Sequence, residues 1–216
     1  MKHRLGLALA LALAAGTLWA SNMGFLVWRT LHATTPGVSH SGSNTLALPY
    51  QRDADLTTAN ALLTDIGLVN VAWVARFLEP TDGFTVFTGR KGSGPNFPLT
   101  AGECYYAKMV TTADYLLAGS SLPGVVLSLE APTPGVNASG VNFIALPYHS
   151  IVTSASALMA DIGFANVTNI QRFLTATDGL QVYTGRKGSG PDFALSPTEC
   201  YYVRMTTTVA YIPSHY

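Results

Sequence analysis

From residue 25 onward the apolar positions recur mostly with a period of two. Leu46, Leu48 and Tyr50 alternate, and Ile144, Leu146 and Tyr148 do the same, which predicts a half-buried strand at each place. Pro49 and Pro147 have no N–H for a ladder, so these strands should end there or lie at a sheet edge. Residues 25–31 (FLVWRTL) and 125–129 (VVLSL) predict a strand before each of them. One short helix interrupts the pattern in each half. Thr57 or Thr58 can cap a turn carrying Ala61, Leu62, Leu63 and Ile66, which Gly67 stops; Ser154 or Ser156 can cap Ala157, Leu158, Met159 and Ile162, which Gly163 stops. Val71, Val74, Phe77 and Leu78 have helical spacing, but the β-branched content and the turn that follows favour a strand over 71–78. EPTDGF (79–84) and ATDGL (176–180) predict hairpin turns in which Asp-Gly supplies the positive φ. Further strands are predicted at 84–89, at 103–112 and near 114–118.

These elements occur twice because the chain is an internal duplication. TLALPY (45–50) returns as FIALPY (143–148) and TPGV (35–38) as 133–136, both at an offset of 98. From Asp65 the offset is 96: DIG, RFL and TDG recur, TGRKGSGP (88–95) is repeated unchanged at 184–191, and ECYY (103–106) at 199–202. Between Asp65 and Thr112, 29 of 48 positions are identical to their partners. The fold expected is mainly β: two tandem copies of a small β-sandwich or barrel-like module, each with one short helix. The modules are placed at 21–120 and 121–216, with the boundary in GSSLPG (119–124). A module of this size has its own core but is marginal alone, and packing the copies together is the expected remedy.

The first twenty residues stand outside this pattern. Lys2 and Arg4 precede an apolar run over 5–15 and a region of small residues over 16–20, the form of a signal peptide cleaved after Ala20. Ser21, Asn22 and Gly24 interrupt any longer apolar run, so no membrane span is expected after cleavage. The chain has 12 basic and 12 acidic groups, and removal of Lys2 and Arg4 leaves a charge of −2. With 48% apolar and 11% charged residues it is no disordered tail, and it lacks the basic surplus a nucleic-acid binder needs. A secreted or cell-surface location, periplasmic or extracellular, is the expectation.

The order of motifs, a strand ending in LPY, a short DLL-IG-like helix, an R-F strand, a TDG hairpin and a GE-aromatic-aromatic strand, resembles a tandem repeat module of secreted bacterial surface proteins. Those modules read I-S-L-P, D-L-L-x-x-I, R-W-D, F-x-L-x-P-G-x-G-Y-F-V, and the likeness covers about residues 44–110 and 142–206. The resemblance implies surface display and attaches no activity. The chain departs from the pattern at Cys104 and Cys200, where the module has glycine.

Candidate chemistry is sparse. TGRKGSGP lacks the Walker spacing and leads into an extended segment, so it reads as a glycine-rich turn; Arg90, Lys91, Arg186 and Lys187 are candidate anion or glycan contacts. GVSHS (37–41) misses the final glycine of a nucleophile elbow, and its counterpart GVNAS lacks both Ser39 and His40. His32, His40, His149 and His215 do not repeat and have no second ligand at metal spacing, so neither metal nor cofactor is expected. Asp65, Asp82 and Glu103 repeat, and paired acids could serve glycoside hydrolysis, although Asp65 sits at a helix end and Asp82 in a turn. Asn137 and Asn166 begin N-x-Ser/Thr sequons.

The cysteines say more. By strand alternation Tyr105, Ala107 and Met109 share one face, and Cys104, Tyr106 and Lys108 the other. The charge marks the second face as solvent-side or rim, so Cys104 and Cys200 should point out of their own cores. They can bridge within the chain, bridge two chains, or remain free. If the copies pack about a pseudo-two-fold axis, equivalent residues meet there, and Tyr106 and Tyr202 flank a Cys104–Cys200 bridge. A linear tandem would keep the cysteines apart. The leading function is a non-catalytic structural or surface-interaction protein, with other chains, cell-surface glycans or its own copies as partners. The second is a carbohydrate-binding protein with Trp28, Trp73, Tyr106 and Tyr202 as candidate aromatic platforms. A secreted hydrolase is third.

Overall fold

The computed structural model describes residues 25–48, 56–89, 93–100, 102–119, 125–185 and 190–214. The predicted leader, most of the 119–124 boundary, His215, and Arg90, Lys91, Arg186 and Lys187 lie outside the described residues. The first copy contains β1 (Phe25–Leu31), β2 (Ser43–Ala47), α1 (Ala59–Ile66), β3 (Val71–Leu78), β4 (Gly83–Thr88), β5 (Cys104–Met109) and β6 (Ala113–Gly119). The second contains β7 (Leu127–Leu129), β8 (Val141–Ala145), α2 (Ala155–Ile162), β9 (Val167–Leu174), β10 (Gly179–Tyr183), β11 (Cys200–Met205) and β12 (Val209–Tyr211). Each copy builds one four-stranded antiparallel sheet, β2-β5-β3-β4 or β8-β11-β9-β10, and one two-stranded sheet, β1-β6 or β7-β12.

Local chemistry fixes the element ends. Of the two possible caps, Thr58 accepts from the Ala61 amide (3.3 Å) and Ser154 from the Ala157 amide (3.1 Å). Residues 71–78 are a strand, with a bulge between Val71 and Trp73 that leaves Val71 and Val74 on one face and Trp73, Ala75 and Phe77 on the other. In the two hairpins it is the aspartate, not the glycine, that takes the positive φ: 50° at Asp82 and 54° at Asp178. A short polar side chain tolerates that region better than most.

The burial pattern gives four layers. In the first copy α1 and the β1-β6 pair cover one face of the four-stranded sheet, closing a core around Leu46, Leu62, Leu63, Val74, Tyr105 and Leu117. The second copy repeats this around Leu146, Leu158, Met159, Ile170, Tyr201 and Tyr211. The remaining faces of the two four-stranded sheets meet each other. Ala47, Ala75, Cys104 and Tyr106 pack there with Phe143, Ala145, Cys200 and Tyr202. The face that Lys108 marked as solvent-side is therefore buried along its Cys104–Tyr106 stretch, because the second copy takes the place of solvent.

Two repeated devices finish each sheet. Asn44 is buried in phase with Leu46 and grips the loop after β1, accepting from the His32 amide (3.0 Å) and donating to the His32 carbonyl (2.9 Å). Asn142 does the same with Glu130, at 2.8 and 3.0 Å. Along the edge of β4, the Thr88 amide donates to the Ser93 carbonyl (3.0 Å) and Gly94 lies against the Val86 carbonyl. Ser93 and Gly94 thus lie along the end of the β4 edge strand and cover it at Val86 and Thr88.

Candidate functional site: the seam between the copies

Cys104 and Cys200 form a disulfide with Cα atoms 5.7 Å apart, and they are 2% and 1% exposed. Beside them the Tyr106 and Tyr202 hydroxyls are 2.8 Å apart. Both pairs join residues 96 positions apart, so equivalent residues meet on a local two-fold axis. Burial pushes both hydroxyls up, Tyr202 to about 12, and the neighbouring Tyr202 adds to the effect at Tyr106; the pair stays protonated at physiological pH. The Phe143 ring stacks on Tyr202 at 4.3 Å and on Tyr106 at 5.5 Å. Phe77 meets Tyr202, and Phe173 meets Tyr106, edge to face at 5.8 and 5.3 Å.

A pair of clasps closes the margins of the seam. The His40 amide donates to the Thr175 carbonyl (2.9 Å), and the equivalent Ala138 amide to the Glu79 carbonyl (2.8 Å). Ser41 donates to Asp178 (3.0 Å), and the equivalent Ser139 to Asp82 (2.8 Å). The first clasp has an additional partner, since His40 Nδ1 lies 2.9 Å from Asp178. Burial works against the Asp178 charge, but hydrogen bonds from His40 and Ser41 outweigh it and hold the carboxyl below its ordinary range.

Two grooves flank the axis. The wider, about 470 Å³, has Trp73, Phe84, Phe173 and Leu180 on its walls and Ser41, Ser43 and Asp178 at one end. The narrower, about 310 Å³, is built from the equivalent positions: Phe77, Leu180 and Phe84 with Ser139, Val141 and Asp82. They differ because Trp73 and Ala75 of the first copy correspond to Asn169 and Gln171, and Gln171 lines the narrower groove.

The structure separates the expected site residues. Tyr106 and Tyr202 are each 8% exposed and are floor and fastening rather than free platforms. Trp73 is half-buried on the groove wall, whereas Trp28 is 69% exposed on β1 and is not among the lining residues. The repeated acids are all engaged. Asp65 accepts from Tyr115 and Asp161 from Tyr211 (2.6 Å). Glu103 accepts from Arg76 (2.7 Å) and Tyr105 (3.1 Å), and Glu199 from Tyr201 (3.0 Å). Ser39 is buried and accepts from the Gly42 amide (2.9 Å), which closes a turn. Asn137 is 0% exposed and is bonded through both side-chain atoms, to the Gly140 amide and the Val141 carbonyl, so its sequon is sealed in the folded chain. Among the described residues no group of three His, Cys, Asp or Glu side chains is arranged to hold a metal.

Sequence reasoning missed Glu79. This half-buried side chain lies beside the seam, in a small cavity of about 80 Å³ with Arg76, Glu103 and Cys104. Burial, then Glu103 and Glu130, raise its carboxyl to about 7, against a smaller opposing pull from Arg76. A carboxyl whose pKa is higher folded than unfolded contributes stability below its unfolded value, near 4.5, and loses it as pH rises through 7. Solvent screening of a half-exposed group reduces the effect to about 1–2 kcal/mol. Glu79→Gln should therefore stabilise the protein at pH 8 and leave it unchanged at pH 4, as read from denaturant midpoints. An equal effect at both values would count against a protonated Glu79.

No family model, curated protein or solved structure matches this chain. No helix among the described residues is long and apolar enough to cross a membrane.

Proposed function

We propose that this chain is a secreted or cell-surface, non-catalytic interaction protein whose two copies act as one rigid binding unit. The observation that carries this reading is the use made of the repeated reactive residues. The acids, the cysteines and Tyr106 with Tyr202 are bonded to partners that hold the fold together. A glycosidase needs two carboxyls free to face one bond, and the repeated acids are committed elsewhere. The leader-like segment supports export, and a bridging disulfide fits an oxidising compartment.

Two measurements test the proposal. N-terminal sequencing of exported material should begin at or near Ser21, and intact Met1 in a membrane fraction would contradict export. Ser39→Ala leaves the buried Gly42 amide without its acceptor and should cost about 1–3 kcal/mol, and should abolish no hydrolysis. A hydrolase activity lost in a folded Ser39→Ala protein would overturn the non-catalytic reading.

A further inference from the structure

We infer that the wider groove is a carbohydrate site that takes the end of a neutral glycan. This names the partner class of the interaction protein proposed above and rests on that reading.

The argument comes from comparing the two grooves. Tyr202 lines both, Tyr106 lines the wider one, and both carry a serine–aspartate clasp. In the wider groove the polar end is longer. His40 Nδ1 lies 2.9 Å from Asp178, Asp178 accepts from Ser41, and the Ser41 and Ser43 hydroxyls lie 2.8 Å apart, a ladder of four side chains. At the narrower groove the corresponding run is Ala138, Asp82, Ser139 and Val141, cut short at both ends. The same copy that extends the ladder supplies Trp73 on the wall and opens the space with Ala75. An aromatic wall and a hydroxyl–carboxylate ladder therefore occur together in one groove and are reduced together in the other.

A pyranose matches this pairing. Its C–H face packs on an aromatic ring, and its hydroxyl rim both donates and accepts, as a carboxylate beside serine hydroxyls requires. A wholly apolar ligand would strip water from Asp178, Ser41 and Ser43 without replacing it. The volume lies within the usual range for small-ligand sites. The exposed side chains of Phe84, Val86 and Leu180 leave the mouth open, so further rings can run out into solvent. The disulfide behind the floor fixes the walls before binding, which keeps the ordering cost low.

The test uses the mature, oxidised protein carrying Trp28→Phe. Trp73 is then its lone tryptophan and reports directly from the groove wall. The probes are neutral tetrasaccharides of glucose, galactose and N-acetylglucosamine, with a C12 fatty acid as the apolar control. At least one sugar should give a saturable change in Trp73 emission and no cleavage product. Calorimetry on the otherwise native protein should show about ten-fold weaker binding for Trp73→Asn and for Ala75→Gln. Each substitution installs the residue that the second copy already carries at that position. Loss of binding in either folded variant supports the site. Binding indifferent to both, binding of the fatty acid alone, or no binding of any of the three sugars overturns it. Cleavage of a bound sugar would leave the site standing and overturn the non-catalytic reading instead.

Discussion

Replacing both cysteines, Cys104→Ala with Cys200→Ala, is expected to lower the thermal unfolding midpoint by about 10–20 °C. The bridge joins residues 96 positions apart, and closing a loop of that length is worth roughly 4–5 kcal/mol in the chain-entropy model. For a chain of 150–250 residues each kcal/mol moves the midpoint by about 2–4 °C. The stacked rings of Phe143, Tyr106 and Tyr202 remain, so the variant should keep its secondary structure and its monomer mass. Scanning calorimetry of the two proteins side by side measures the difference. A change below about 3 °C would mean that the seam holds without its covalent link. Mass spectrometry of the unreduced native protein should find it two hydrogens lighter than the dithiol, with the Cys104 and Cys200 peptides linked. Two freely alkylated thiols would contradict the bridge outright.

The second large effect is expected at Gly94. Its φ is +96°, and a Cβ there would lie 2.1 Å from the Val86 carbonyl oxygen, a backbone atom of the edge strand β4. Neither atom can move without lifting Ser93 and Gly94 from β4. Left-handed strain and steric overlap together should cost Gly94→Ala about 3–5 kcal/mol. Gly190 repeats the geometry, with φ +95° and 2.0 Å to the Val182 carbonyl, and Gly190→Ala should cost a similar amount. Gly37 is the control. Its φ of +76° is also left-handed, but nothing lies within 4 Å, so Gly37→Ala should cost only about 1–2 kcal/mol. Urea midpoints of the three variants test the ranking, and equal losses would refute the role given to the Val86 and Val182 carbonyls.

Much of this architecture is legible in the sequence because it repeats there. The shared offsets define the two copies, and alternation within CYYAKM puts Tyr105 and Cys104 on opposite faces. That alternation could not reveal what covers the cysteine face, since the cover is the other copy and Lys108 argued for solvent. Asn44 is less legible, because asparagine in a strand reads as an outward residue. Its phase with Leu46 and Leu48 was the signal that it points inward. The wider groove was out of reach for a different reason. His40 and Asp178 are 138 positions apart and meet only across the seam. The mismatch of Trp73 with Asn169 counts against a repeated platform, and in three dimensions the same mismatch makes the two grooves unequal.

The axis through the disulfide has the form of a homodimer interface, yet both halves belong to one polypeptide. In a dimer of identical subunits every substitution is made twice, so a bulky gain on one side of the axis is also imposed on the other. Joining the halves in tandem lifts that constraint. Symmetry can then be kept at positions such as Tyr106 and Tyr202, where the halves must fit each other, and broken a few ångströms away. Trp73 opposite Asn169 and His40 opposite Ala138 are combinations that an assembly of identical chains could not encode.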